Sequence, residues 1–163
     1  LQDYNFIIRA EAETMDTLDS KTIIQIGLIV PDVEAAARHY AQVFGIPVPE
    51  IVGIATDAFA QTDYRGGPSS ATGRAAFFDL GPLQVELIQP VGRPSTWADF
   101  LNEHGPGIHH FAVKTENMAE AVSLLEKHGM PRVQSGGWDG GQYAYIDSVK
   151  QLGTMIELLH FDK

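Results

Sequence analysis

The chain has 163 residues, 44% of them hydrophobic and 20% charged, with a formal net charge of -10 and no cysteine. That charge argues against a nucleic-acid partner, where affinity comes largely from basic groups on phosphates, and disfavours an acidic membrane surface. Lack of cysteine excludes disulfides, thiolate ligands and a cysteine nucleophile. The longest apolar stretch, Ile23 to Val30, is strand-sized and broken by Gln25, so no membrane span is read. No signal-peptide pattern is visible, and a cytoplasmic location is compatible with this composition.

Residues 1–21 carry scattered charge and a short apolar run, Phe6-Ile7-Ile8, and read as a partly helical N-terminal extension without assigned chemistry. Ile23 to Val30 is rich in β-branched residues and reads as a buried strand. Asp32 is a good N-cap for a helix in which Val33, Ala36, Ala37, Tyr40 and Phe44 recur at helical spacing, and Gly45 closes it. Strands are expected near Pro47–Thr56, Arg74–Leu80 and Leu83–Gln89, the last two joined by the tight turn Gly81-Pro82. Thr62 to Gly73 is so rich in turn formers that it predicts irregular structure. Ser95 caps a short helix carrying Trp97, Phe100 and Leu101, which stops before Gly105-Pro106-Gly107.

The order then starts again. Ile108 to Thr115 predicts a strand, and Asn117 caps a helix through His128 with Met118, Ala121, Val122 and Leu125 on one face. Strands follow near Pro131–Gln134, Gln142–Asp147 and Thr154–Phe161, with Gly136 to Gly141 read as a loop. An offset of 85 positions carries Gln25 onto His110, Asp32 onto Asn117 and Ala36 onto Ala121. Leu83-Gln-Val-Glu-Leu-Ile88 likewise matches Thr154-Met-Ile-Glu-Leu-Leu159, which places Glu86 on Glu157. The chain therefore divides into the extension 1–21, a βαβββ module 22–92, a linker with a short helix 93–107 and a second βαβββ module 108–163, an α+β class. The second copy is shorter by about the length of the Thr62–Gly73 loop, which is an insertion in the first.

Each module offers a polar donor on its first strand and a glutamate on its last. Taken singly, Glu86 or Glu157 reads as a solvent-facing residue of a half-buried strand, His110 as a hydrogen-bonded histidine, and Gln25 as nothing in particular. Taken together, four donors occupy two pairs of equivalent positions. Packing of the copies about a pseudo-two-fold axis brings Gln25, Glu86, His110 and Glu157 to one point. One imidazole, two carboxylates and an amide oxygen suit a divalent ion such as Zn, Co, Ni, Mn or Mg. Successive strand residues face opposite ways, so His109 is expected to point away from His110 and to serve packing.

These segments resemble the vicinal oxygen chelate superfamily of glyoxalases, bleomycin-resistance proteins and dioxygenases, over about residues 22–161. Ile26-Gly-Leu-Ile-Val-Pro-Asp-Val-Glu-Ala-Ala-Ala37 is similar to that family's first strand and helix, and Leu80 to Pro90 to its hairpin. Phe100-Leu101 and His104-Gly-Pro-Gly-Ile-His-His-Phe-Ala112 resemble the linker and metal strand of its methylmalonyl-CoA epimerase branch. The resemblance implies two modules curved into a half-barrel around a metal, with ligands Gln25, His110 and Glu157 and with Glu86 in the fourth position. It implies a small-molecule carbonyl or thioester substrate, enolate stabilisation by the metal, and homodimeric assembly. Glu157 matches one acid/base residue of the epimerases. The other falls by counting near Thr56-Asp57, so Asp57 or Glu50 is expected in that role.

Tyr64 and Arg65, in the inserted loop, are candidates to close over substrate, with Arg65 meeting an anion. Trp138 is a candidate pocket wall. Gly136–Gly141 lacks the lysine and following helix of a phosphate cradle. The leading expectation is an epimerase-like, metal-dependent isomerase or lyase. The alternatives are a glyoxalase I-like lyase and a non-catalytic antibiotic-binding protein; a ring-cleaving dioxygenase is disfavoured because Gln25 stands where an iron site wants histidine.

Overall fold

A computed structural model describes residues 17–163. β1 (Ile23–Ile29) leads into α1 (Val33–Phe44), then β2 (Val52–Ile54), β3 (Asp63–Tyr64), β4 (Gly67–Pro68), β5 (Thr72–Leu80) and β6 (Leu83–Val91). After α2 (Thr96–His104) come β7 (Gly107–Lys114), α3 (Met118–Lys127), β8 (Arg132–Trp138), β9 (Gly141–Ile146), α4 (Val149–Leu152) and β10 (Met155–Phe161). The helix boundaries follow their caps: Asp32, Ser95 and Asn117 each accept a hydrogen bond from the third residue beyond. Gly45 ends α1 in the left-handed conformation (φ 66°). No helix among the described residues is long and apolar enough to cross a membrane.

The ten strands of the described residues form one mixed sheet, in the order β2-β5-β6-β1-β7-β10-β9-β8-β3-β4, curled into a half-barrel. Outward from the antiparallel β1–β7 pair the order is the same on both sides. β6 runs parallel to β1, β10 runs parallel to β7, and each then pairs antiparallel with the strand that precedes it in the chain. Alternation along the strands splits the side chains between two faces. On the convex face, α1 packs over Ala76, Phe78, Val85 and Leu87, and α3 over Val113, Ala144, Ile156 and Leu158. On the concave face, Ile29, Ile88, Ala112, Tyr143, Tyr145 and Leu159 gather around Trp97 of α2.

Three local expectations are corrected. The Thr62–Gly73 segment is not irregular throughout: β3 and β4 form a hairpin turned by Arg65 (φ 50°) and Gly66 (φ 84°), and β3 adds to the free edge of β8. A two-residue turn with both φ values positive suits hairpin twist, so these turn formers build a strand pair. Gly136 and Gly137 belong to β8, and their missing side chains let residues 59–60 lie directly on the strand, with Gly137 N donating to Ala60 O at 2.9 Å. The strand near Pro47–Thr56 shrinks to three residues, and the short α4 was not anticipated. Residues 1–16 of the expected extension lie outside the described residues; its end is tied down where Asp19 accepts from Glu116 N at 2.6 Å.

The consequence is a strap. Residues 55–62 run from β2, at one edge of the sheet, to β3, next to the other edge, spanning the open side of the half-barrel. A Cβ on Gly136 would lie 2.8 Å from both Ala60 O and Tyr143 Cε1. Gly136→Ala should therefore cost about 1–3 kcal/mol and lower the melting temperature by several degrees. An unchanged thermal melt would mean that the strap is not seated on β8.

Candidate metal centre

The adjacent strands β6, β1, β7 and β10 carry the donors on two neighbouring rungs. In one rung Glu86 pairs with Gly27, which pairs with His110; in the next Gln84 pairs with Gln25, Gln25 with Ala112, and Ala112 with Glu157. Gln25 opposite Ala112 and His110 opposite Gly27 is the crossing pattern of a local two-fold axis between β1 and β7. Each first-strand donor thus faces a small residue of the other strand. The opening at Gly27 is obligatory, because a Cβ there would stand 1.9 Å from His110 Cε1. On a flat sheet β6 and β10 would lie about 14 Å apart, three strand spacings. Curling brings donor atoms of Glu86, His110 and Glu157 within 4.8 Å of one another.

The amide of Gln25 is oriented by a chain of partners. The Asp79 carboxylate accepts from Gln84 Nε2 at 3.1 Å, and Gln84 Oε1 accepts from Gln25 Nε2 at 2.8 Å. A carboxylate has only acceptors to offer, so it sets both amides and leaves Gln25 Oε1 free. That oxygen is buried without a partner, as are His110 Nε2 and Glu157 Oε2. Such orphans are uncommon in folded proteins. Three of them belonging to a metal-type donor set fit a bound divalent cation, and Glu86 completes the group.

His110 is fully buried, with Nε2 3.2 Å from Glu157 Oε2 and 3.6 Å from Glu86 Oε2, close approaches that lack hydrogen-bond geometry. Burial alone would lower its pKa, but the two carboxylates, Glu157 foremost, raise it to about 9. Burial also raises the Glu86 pKa, with His110 opposing the shift and Glu157 adding to it. The expectation that His109 points away is corrected: both histidines are buried, and their Nδ1 atoms are 3.0 Å apart. The cause is a β-bulge, since Gly27 pairs with His110 while Leu28 pairs with Ile108, leaving His109 outside the alternation. Burial holds the His109 pKa well below the usual histidine value, so it is neutral and its Nδ1 accepts the His110 Nδ1 proton. That contact presents His110 Nε2 to the two glutamates.

Around these donors is a cavity of about 510 Å³, walled by Gln25, Glu86 and Glu157 with Phe77, Trp97, Tyr143 and Tyr145. Trp138 and Asp57 line it too, Asp57 reaching it from the strap. Glu50 is exposed and lies away from it. Tyr64 and Arg65 also stand outside: the Tyr64 hydroxyl donates to Asp99 on α2, and Arg65 is exposed at the hairpin turn. They miss the cavity because the hairpin they belong to joins the sheet edge. Sequence reasoning overlooked Asp79, and it counted Lys114 only as one of five basic residues available to an anion, with Arg65, Arg74, Arg132 and Lys150. Strand periodicity puts Gln84 on the face of Glu86, but only the structure shows that it orients Gln25.

In the metal-free protein the His110 proton must leave before its imidazole can ligate. Apparent affinity for Mn or Co should therefore tighten about tenfold per pH unit from pH 7 to 9 and then level off, with protons released on uptake. Calorimetry in buffers of differing ionisation enthalpy measures both, and an affinity flat across this range would contradict the assigned charge state. Gly27→Ala should weaken metal binding by at least tenfold, read by competition with a chromophoric chelator, because the His110 ring cannot keep its place.

Residues 24–145 match the Glyoxalase/Bleomycin resistance protein/Dioxygenase superfamily. Over 103 residues the chain is 30% identical to human mitochondrial methylmalonyl-CoA epimerase, covering 63% of this chain and 51% of that protein. It thus spans about half the length of the mammalian relatives it matches. To the ethylmalonyl-CoA/methylmalonyl-CoA epimerase of Cereibacter sphaeroides it is 26% identical over 141 residues, covering 82% of this chain and 92% of that one. Among solved structures, methylmalonyl-CoA epimerase from Mycobacterium tuberculosis superposes with a TM-score of 0.66 at 19% identity, over 91% of this chain and 93% of that one. A Streptomyces coelicolor methylmalonyl-CoA epimerase variant, in complex with 2-nitronate-propionyl-CoA, gives 0.60 at 16% identity, over 86% of this chain and 97% of that one. Since the family match runs from β1 to β9, across both sides of the sheet, the chain belongs to the glyoxalase/bleomycin resistance/dioxygenase superfamily.

Proposed function

We propose that this protein is a metal-dependent epimerase of the methylmalonyl-CoA type, moving a proton at the carbon beside a thioester carbonyl. The observation that carries the reading is the set of orphaned donors, Gln25 Oε1, His110 Nε2 and Glu157 Oε2, gathered with Glu86 beside one cavity. The relatives named as epimerases support the reaction class. Gln25, Glu86, His110 and Glu157 would hold a divalent ion, whose chemistry there is to polarise a carbonyl oxygen and favour the charge that develops on it.

The protein's own groups do the rest. Deprotonation beside a carbonyl needs a base at the reacting carbon, and inversion needs a proton returned from the opposite face. In this reading Glu157, on the sheet, and Asp57, on the strap, exchange those protons. Asp57 Oδ1 accepts from Phe59 N at 2.8 Å, which ties the carboxylate to the strap turn and leaves its second oxygen for the cavity. Phe77, Trp97 and Leu159 exclude water from the wall they form, which strengthens electrostatic interactions at the carbonyl. The four donors come from one chain, so the homodimer and cytoplasmic location carried in this reading are not needed to complete the site.

A glyoxalase-type lyase is the second reading, favoured by the amide oxygen of Gln25 at a position where the epimerases resembled here usually have histidine. A binding protein without catalysis ranks below both, because such proteins often lack the donors that this chain retains. Methylmalonyl-CoA incubated in deuterated water with Mg, Mn, Co, Ni or Zn should exchange its α-proton. Glu157→Gln should slow that exchange by about 10²–10⁴-fold. Turnover of a glutathione hemithioacetal without thioester exchange would transfer the assignment to the lyase, and inertness toward both would remove the enzymatic reading.

A further inference from the structure

Lys114 has no part in the chemistry described so far, yet it lines the reaction cavity. Beyond the bulge at His109, ordinary alternation along β7 puts His110, Ala112 and Lys114 on the concave face, while Phe111 and Val113 pack beneath α3. Lys114 pairs with Leu159 and Ala112 with Glu157, so Lys114 sits two residues, about 7 Å, along the strand from the Glu157 rung. Its ammonium lies 5.1 Å from the centre of the Phe161 ring, a cation–π contact that leaves its hydrogen-bond donors free. Among the described residues it has no carboxylate partner.

The charge around it is lopsided. Asp57, Glu86 and Glu157 face the cavity, and among the described lining residues Lys114 is the sole basic one. In a chain of net charge -10, an anionic ligand entering this cavity meets repulsion everywhere except at that ammonium and at whatever cation the donors hold. We propose that Lys114 is the anion-recognition residue of the cavity. It pairs with a carboxylate or phosphate of a substrate whose carbonyl lies at the donor cluster, and where the partner is an acyl carboxylate it selects anionic acyl groups over neutral ones. This rests on the thioester reading for the kind of substrate, but binding of an anion at Lys114 can be tested without turnover.

The variants are Lys114→Met, which keeps an apolar stem over Phe161, and Lys114→Arg, which keeps the charge. Malonate and free coenzyme A are titrated calorimetrically into the Mn-loaded protein at low and high salt. The expected result is a loss of at least tenfold in affinity for one probe or both in Lys114→Met, near wild-type binding in Lys114→Arg, and unchanged melting temperatures. Loss for malonate alone identifies a carboxylate as the partner, and loss for coenzyme A alone a phosphate. The kinetic arm compares exchange of methylmalonyl-CoA and propionyl-CoA: a KM raised only for the former points to the acyl carboxylate, and both raised to the carrier phosphates. Equal binding of both probes by wild type and Lys114→Met, or no measurable binding of either by wild type, overturns the proposal. Failure of both thioesters to exchange, with anion binding still dependent on Lys114, would remove the epimerase reading and leave this one standing.

Discussion

A buried imidazole between two buried carboxylates is the interaction on which the rest of this structure depends. Glu86 and Glu157, both almost wholly buried, approach one another at the cavity wall, where two like charges repel unless a positive charge offsets them. A positive charge must join them. In the metal-free protein the proton on His110 Nε2 supplies it, which is why that histidine keeps its proton up to about pH 9 despite complete burial. A divalent ion would answer the same need with more charge, and Gln25 Oε1, buried without a partner, would be a further donor for it.

Backbone features rather than extra side chains make room for this group. Gly27 and Ala112 are small residues between donors, and the β-bulge at His109 turns a second histidine inward to fix the first. Asp79 and Gln84 do for Gln25 what His109 does for His110: each outer partner leaves one atom of the inner residue without a hydrogen-bond partner. Orientation from outside the donor set is a general feature of metal sites, and here both first-strand donors have it.

The strap adds what the two-fold arrangement lacks. A symmetric pair of modules would leave the cavity open on one side. The segment between β2 and β3 crosses that side, places Asp57 at the cavity wall and covers the edge of β8 with β3, so an exposed strand edge is also protected. The site is consequently asymmetric, with paired donors on the sheet, a carboxylate on the strap and the Lys114 ammonium along β7.

Sequence by itself determined the βαβββ order, the helix limits at Asp32, Ser95 and Asn117, and the pairing of Gln25 with His110 and of Glu86 with Glu157 as equivalent positions. Those are local or repeated signals: caps, β-branched runs and a fixed offset. Tertiary structure alone decided that His109 faces inward, that the turn-rich insertion becomes a strand pair on β8, that Tyr64 and Arg65 end outside the cavity, and that Asp79 and Lys114 belong to the site's surroundings. A bulge, an edge pairing and the curl of a sheet depend on contacts between residues far apart in the chain. Residue-by-residue periodicity carries no trace of them until the strands have met.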